Sequence, residues 1–124
     1  MDSILTSIKK LLGIEEDYTH FDNDIIMHIN SVLFILRQAG IGPDKAFAIK
    51  DKTATWTEFI SEDFEEFEAV KTYVYMKVRL IFDPPLSSAV MESLKELCRE
   101  YEWRLNVEAD TIGLNGEEEN QNGV

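Results

Sequence analysis

The residues able to do chemistry are few. His28 follows Asp24 by four positions, so a helix would place both on one face as an ion pair or half of a metal site. Two ligands do not build a structural zinc site, and no C-x-x-C or H-x-x-x-H pattern accompanies them. His20 reads as an exposed or capping histidine in the loop that follows Glu15-Glu16-Asp17. The single cysteine, Cys98, falls on an apolar helical stripe, where a buried, inert thiol is expected. The six glycines are scattered and form no phosphate-cradling loop. Tyr101 and Trp103 are flanked by Glu100 and Glu102, which suits an anchor in a core or an interface better than a nucleobase platform. The acids are too many and too plainly on helix surfaces to nominate an acid–base pair, so no active site is expected and no metal or cofactor.

The elements carry more information. In Ala69–Leu105 the residues Val70, Tyr73, Val74, Lys77, Val78 and Ile81 recur at threes and fours, a helical period. Asp83-Pro84-Pro85 must stop that helix, since proline lacks the amide hydrogen and forces its predecessor out of the helical region. Ser87 can cap a second helix, with Leu86 and Met91 at the two ends of a hydrophobic staple. Val90, Met91, Leu94, Leu97, Cys98, Tyr101 and Leu105 supply its stripe. So short a corner predicts an antiparallel αα-hairpin on which the rest leans.

Upstream, Ile4, Leu5, Ile8, Leu11 and Leu12 mark an amphipathic helix capped by Asp2 or Ser3 and ended by Gly13-Ile14. Asp22 is the expected cap of the next helix, with Phe21 and Ile26 at staple positions. Ile25, Ile26, Ile29, Val32, Leu33 and Leu36 form its inner stripe, and Gly40-Ile41 its end. Phe34 and Ile35 leave that helix little polar face, so it is either central to the core or covered by another subunit. In Ala46–Thr57 the alternation of Phe47, Ile49, Ala54 and Trp56 predicts a short β-hairpin turning near Asp51-Lys52, followed by a helical turn over Thr57–Ile60. Ser61–Glu68 packs five acids into eight residues, a charge suited to the start of a helix, with Phe64 and Phe67 turned inward. Past Leu105 the pattern fades, and residues 107–124 read as a flexible acidic tail that a partner can order around Val107, Ile112 and Leu114.

With 124 residues, 44% of them hydrophobic, one domain over residues 1–106 is expected before that tail. No stretch approaches a membrane span, Asp2 and Lys9-Lys10 are unlike a signal peptide, and a lone cysteine fits a reducing compartment. The net charge is −12, with 24 acids against 12 bases. No basic patch is present to grip phosphates, so ordinary nucleic-acid binding is disfavoured. An acidic surface can still mimic DNA or repel it from a channel wall.

Thr72–Pro85, with its Y-x-Y-x-K-x-R-L-x-F-D-P-P run, then a Ser-rich restart and Glu102-Trp103-Arg104-Leu105-Asn106, resembles the small head–tail connector (head-completion or adaptor) proteins of tailed bacteriophages. The opening helix ending in Leu12-Gly13-Ile14 and the Ala39-Gly40-Ile41 ending are similar too. The resemblance implies a mainly α fold: a small bundle of about four helices built on the C-terminal αα-hairpin, with the β-hairpin insertion and the flexible tail. It implies a non-enzymatic virion protein of the neck, made in the host cytoplasm, that forms a homo-oligomeric ring under the portal protein. A monomer when free is compatible with that. The ring extends the DNA channel, with DNA as passing cargo only, and meets the next neck or tail-completion protein. No membrane is involved. The candidate interface residues are Phe34, Ile35, Phe47, Trp56, Val107, Ile112 and Leu114, with ordinary core as the competing assignment for the first four. The alternative function is an acidic regulator, a DNA mimic acting on a basic host partner.

Overall fold

A computed structural model describes residues 3–122, and the side chains of residues 3–109. Five helices follow one another among the described residues: α1 (Ile4–Leu11), α2 (Asp22–Gln38), α3 (Trp56–Phe59), α4 (Phe67–Phe82) and α5 (Ser88–Asn122). α4 is the centre, packing against α1, α2 and α5. The core is continuous from Ile4, Leu5 and Ile8 of α1 through Ile25, Ile29, Val32, Leu33 and Leu36 of α2 to Val70, Tyr73, Val74 and Val78 of α4.

Local chemistry sets most of the helix boundaries. Ser3 caps α1, its hydroxyl accepting from the Thr6 amide at 3.2 Å. α1 and α2 both end in the Schellman pattern. Ile14 N–H reaches Lys9 O at 2.9 Å and Ile41 N–H reaches Leu36 O at 2.9 Å, with Gly13 and Gly40 at φ +80° and +92°. Ser87 does cap α5, its hydroxyl 3.4 Å from the Val90 amide. Leu86, however, is fully exposed, so no staple closes over Met91.

α2 begins differently from the expectation. Asp22 is its first residue rather than its cap, and its carboxylate pairs with Lys9 at 2.8 Å. Lys9 is only 2% exposed, and its ammonium also donates to the carbonyls of Glu16 (3.0 Å) and Tyr18 (2.8 Å). One cation thus fixes the end of α1, the α1–α2 loop and the start of α2. Two loop carbonyls accept its N–H donors and the Asp22 carboxylate balances its charge, which is how a buried ammonium is tolerated.

The expected β-hairpin does not form. A turn does sit at Asp51–Thr53, where the Asp51 carboxylate accepts from the Thr53 amide at 2.8 Å, but its two flanks pair elsewhere. The second flank meets α1: Ser3 and Thr55 form an isolated antiparallel bridge, and Ile4 N–H donates to Ala54 O at 3.0 Å. The first flank meets a side chain, the Asn30 amide bonding both the N–H (2.8 Å) and the C=O (3.0 Å) of Ile49. Trp56 then opens α3, the helical turn expected one residue later, with Glu58 accepting from the Thr55 amide at 3.2 Å.

α4 and α5 form the antiparallel hairpin. Tyr73 hydroxyl donates to Glu102 at 2.9 Å, and Lys77 pairs with the same carboxylate oxygen at 3.3 Å. On α4, Met76 is buried where Ile81 was expected to be. Among the described side chains of α5 only Cys98 and Leu105 are buried, while Val90 and Leu97 of the expected stripe are exposed. The backbone of the expected tail continues α5 to Asn122. Ala109, one turn beyond Leu105, still packs against the core, close to Gly40.

Candidate functional site

The groups with catalytic potential do not converge. His28 packs against the Phe82 ring, with centroids 6.4 Å apart, while Asp24 is exposed. His20 joins an aromatic cluster with Phe21 (4.8 Å) and Tyr18 (6.1 Å). Among the described residues no group of three or more His, Cys, Asp or Glu side chains is placed to hold a metal. Cys98 is buried, and that burial pushes its thiol up from the ordinary range, with Lys77 opposing the rise and Glu102 adding to it. Burial also pushes the Tyr73 phenol up, and the hydrogen bond to Glu102 and that residue's negative charge reinforce the shift.

What the molecule displays is apolar helix surface. On α2 the residues Met27, Phe34 and Ile35 are exposed, Phe34 to 57% and Ile35 to 46%. They recur at helical spacing on the side opposite Ile29, Val32 and Leu36, so the helix is apolar within and without. Ile26, Asn30 and Ser31 complete this shallow face. Ile35 also borders a cleft of about 300 Å³ between α2, α4 and α5, walled by Leu36, Ala39, Tyr73, Glu102 and Leu105.

α5 carries a second surface of this kind. Trp103 is 67% exposed, with Val107 exposed one turn on. Both point away from Leu105, which is buried. Around them the α5 cations are engaged on their own helix: Lys95 with Glu92 at 3.6 Å, Arg99 with Glu96, and Arg104 with Glu100 at 2.9 Å.

The seven candidate interface residues therefore separate. Phe34, Ile35 and Val107 are on the surface. Phe47 is half-buried, its ring edge-on to Phe59 at 5.3 Å. Trp56 is a correction: at 1% exposure, with its indole N–H donating to Ser7 Oγ at 2.8 Å, it belongs to the core that locks α3 to α1. The side chains of Ile112 and Leu114 lie outside the described residues. Met27 was not singled out, and Trp103, read as an anchor in a core or an interface, falls on the surface. Trp103 was legible in principle, because a residue two places from a buried Leu105 must face the other way on a helix.

The model of the phage connector protein family matches residues 4–111. The match covers α1 to α4 and α5 as far as residue 111, and the chain belongs to that family. No curated protein and no solved structure matches the chain. Membership makes it a structural connector of a phage, as the resemblance in Thr72–Asn106 implied. Among the described residues no helix is long and apolar enough to cross a membrane.

Proposed function

We propose that this connector is a subunit of the virion neck that assembles as a homo-oligomeric ring beneath the portal protein after DNA packaging. The ring extends the DNA channel, joins head to tail, and presents its far surface to the next neck or tail-completion protein. The chain is made in the host cytoplasm, has no catalytic role and meets DNA only as passing cargo. Among phage connectors, this reading is supported by one observation above others: the outward face of α2, with Met27, Phe34 and Ile35, has no cover among the described residues. A ring needs two different surfaces per subunit, and the α5 face at Trp103 and Val107 is the natural second. The acids exposed at Glu15–Asp17 and at Glu62, Asp63 and Glu65 supply the negative field that lets DNA slide rather than stick where such residues face the lumen.

The double substitution Phe34→Asp with Ile35→Asp tests this. It places two charges on surface already in water, so unfolding free energy should stay within about 0.5 kcal/mol of the natural chain. Sedimentation with DNA-filled, tailless heads should show the natural chain bound and the variant free. Equal binding of both would remove the α2 face from the interface.

A further inference from the structure

The segment Ala46–Lys50 has the pattern of a strand without a sheet. Its burial alternates, with Phe47 and Ile49 turned in and Ala46, Ala48 and Lys50 exposed. Asn30 supplies two hydrogen bonds to Ile49, as a neighbouring strand would. In an extended chain the main-chain groups of successive residues point to opposite edges. Those of Ala48 and Lys50 therefore point away from the edge that Asn30 holds. Among the described residues no main-chain group of Ala46, Ala48 or Lys50 is hydrogen-bonded within the subunit. The outer edge is an open row of donors and acceptors, the template to which a further strand adds.

We propose that Ala46–Lys50 accepts an extended peptide segment of a different virion protein, added along this open edge by main-chain hydrogen bonds. The inference rests on the neck assignment above. Three features define the occupant. The open edge selects an extended backbone. Among the described residues no other segment as long as Ala46–Lys50 runs outside helix, turn and bend, and Ala54 and Thr55 are already paired with α1, so the described chain offers no comparable strand to donate. Pairing this segment with its own copy would be isologous, closing a dimer rather than propagating a ring. The occupant's side chains beside Phe47 and Ile49 continue the core side and are apolar. Those beside Ala46 and Ala48 meet small residues facing solvent.

Hydrogen–deuterium exchange over residues 45–51 tests the proposal, comparing the free chain with mature virions that carry it. The Ala48 and Lys50 amides should exchange rapidly in the free chain and at least about tenfold more slowly in virions. In parallel, Ala48→Pro removes one outward donor at a position whose N–H does no work inside the subunit. That variant should keep the helical signal and thermal midpoint of the natural chain but fail to complete necks, whereas Ala48→Ser completes them. Virions that contain the chain with residues 45–51 as labile as in the free protein overturn the inference and leave the neck assignment standing. A free dimer already protected at Ala48 and Lys50 overturns it in favour of self-pairing. Virions that lack the chain overturn the neck assignment and this inference together.

Discussion

Lys9 is the residue whose removal should cost the fold most for its size. Its ammonium is buried and meets Asp22 and two loop carbonyls, so Lys9→Ala leaves a carboxylate and two carbonyls facing an emptied space. Breaking a buried pair in this way destabilises by about 3 kcal/mol. Urea unfolding should show that loss, and a change below about 1 kcal/mol would mean that water replaces the ammonium without penalty. No sequence pattern announces this role. A lysine beside Ile8 reads as polar helix surface, and it is buried only because residues 16–22 fold back over it. Tyr73 supplies a pH-dependent signature. Its folded phenol is held above the ordinary value of about 10, so its contribution to stability is complete below that value and is lost as pH rises through the folded value. In an alkaline absorbance titration Tyr73 should therefore be the last of the four tyrosines to ionise. Tyr73→Phe should remove that late step and flatten the alkaline loss of stability. Four tyrosines ionising together would contradict the buried Tyr73–Glu102 hydrogen bond.

At the scale of elements, most helix ends were legible from local signals, the Asp22 cap and the Leu86 staple excepted, whereas non-local pairings were not. The Gly-Ile endings, the Ser87 cap and the Pro84-Pro85 corner are decided within a few residues, and each lies where its sequence places it. The β-hairpin failed because its two flanks have better partners in space than each other. Asn30 lies 19 positions from Ile49, and Ser3 lies farther still from Thr55, so neither competitor is visible from the alternation of Ala46–Thr57. The inner stripe of α2 was legible from its period, whereas whether Phe34 and Ile35 faced core or solvent depended on which side α4 packs. Asn30→Ala tests the pinning role directly. It removes both bonds to the largely buried Ile49 backbone, a loss of about 1–3 kcal/mol. Amide exchange at Ile49 should accelerate while the α4 amides stay protected. Unchanged exchange at Ile49 would show that packing of Phe47 and Ile49 holds the segment without the asparagine.

At the scale of the whole molecule, a chain of net charge −12 must overcome repulsion between its own copies to form a ring. The apolar surface it displays on α2 and α5 offers that compensation. These are separate helix faces, the condition for head-to-tail closure rather than a symmetric pair. The small αα-hairpin bundle, α5 displayed on the outside of α4 and the family match over residues 4–111 are consistent with a part that completes its surface only in an assembly. The most direct measurement is electron microscopy of this protein mixed with portal rings of the phage that encodes it. The account predicts a ring of this chain stacked on the outer end of the portal, with the Phe34–Ile35 face of α2 buried between subunits. Portal rings without added density, in the presence of correctly folded protein, would contradict it.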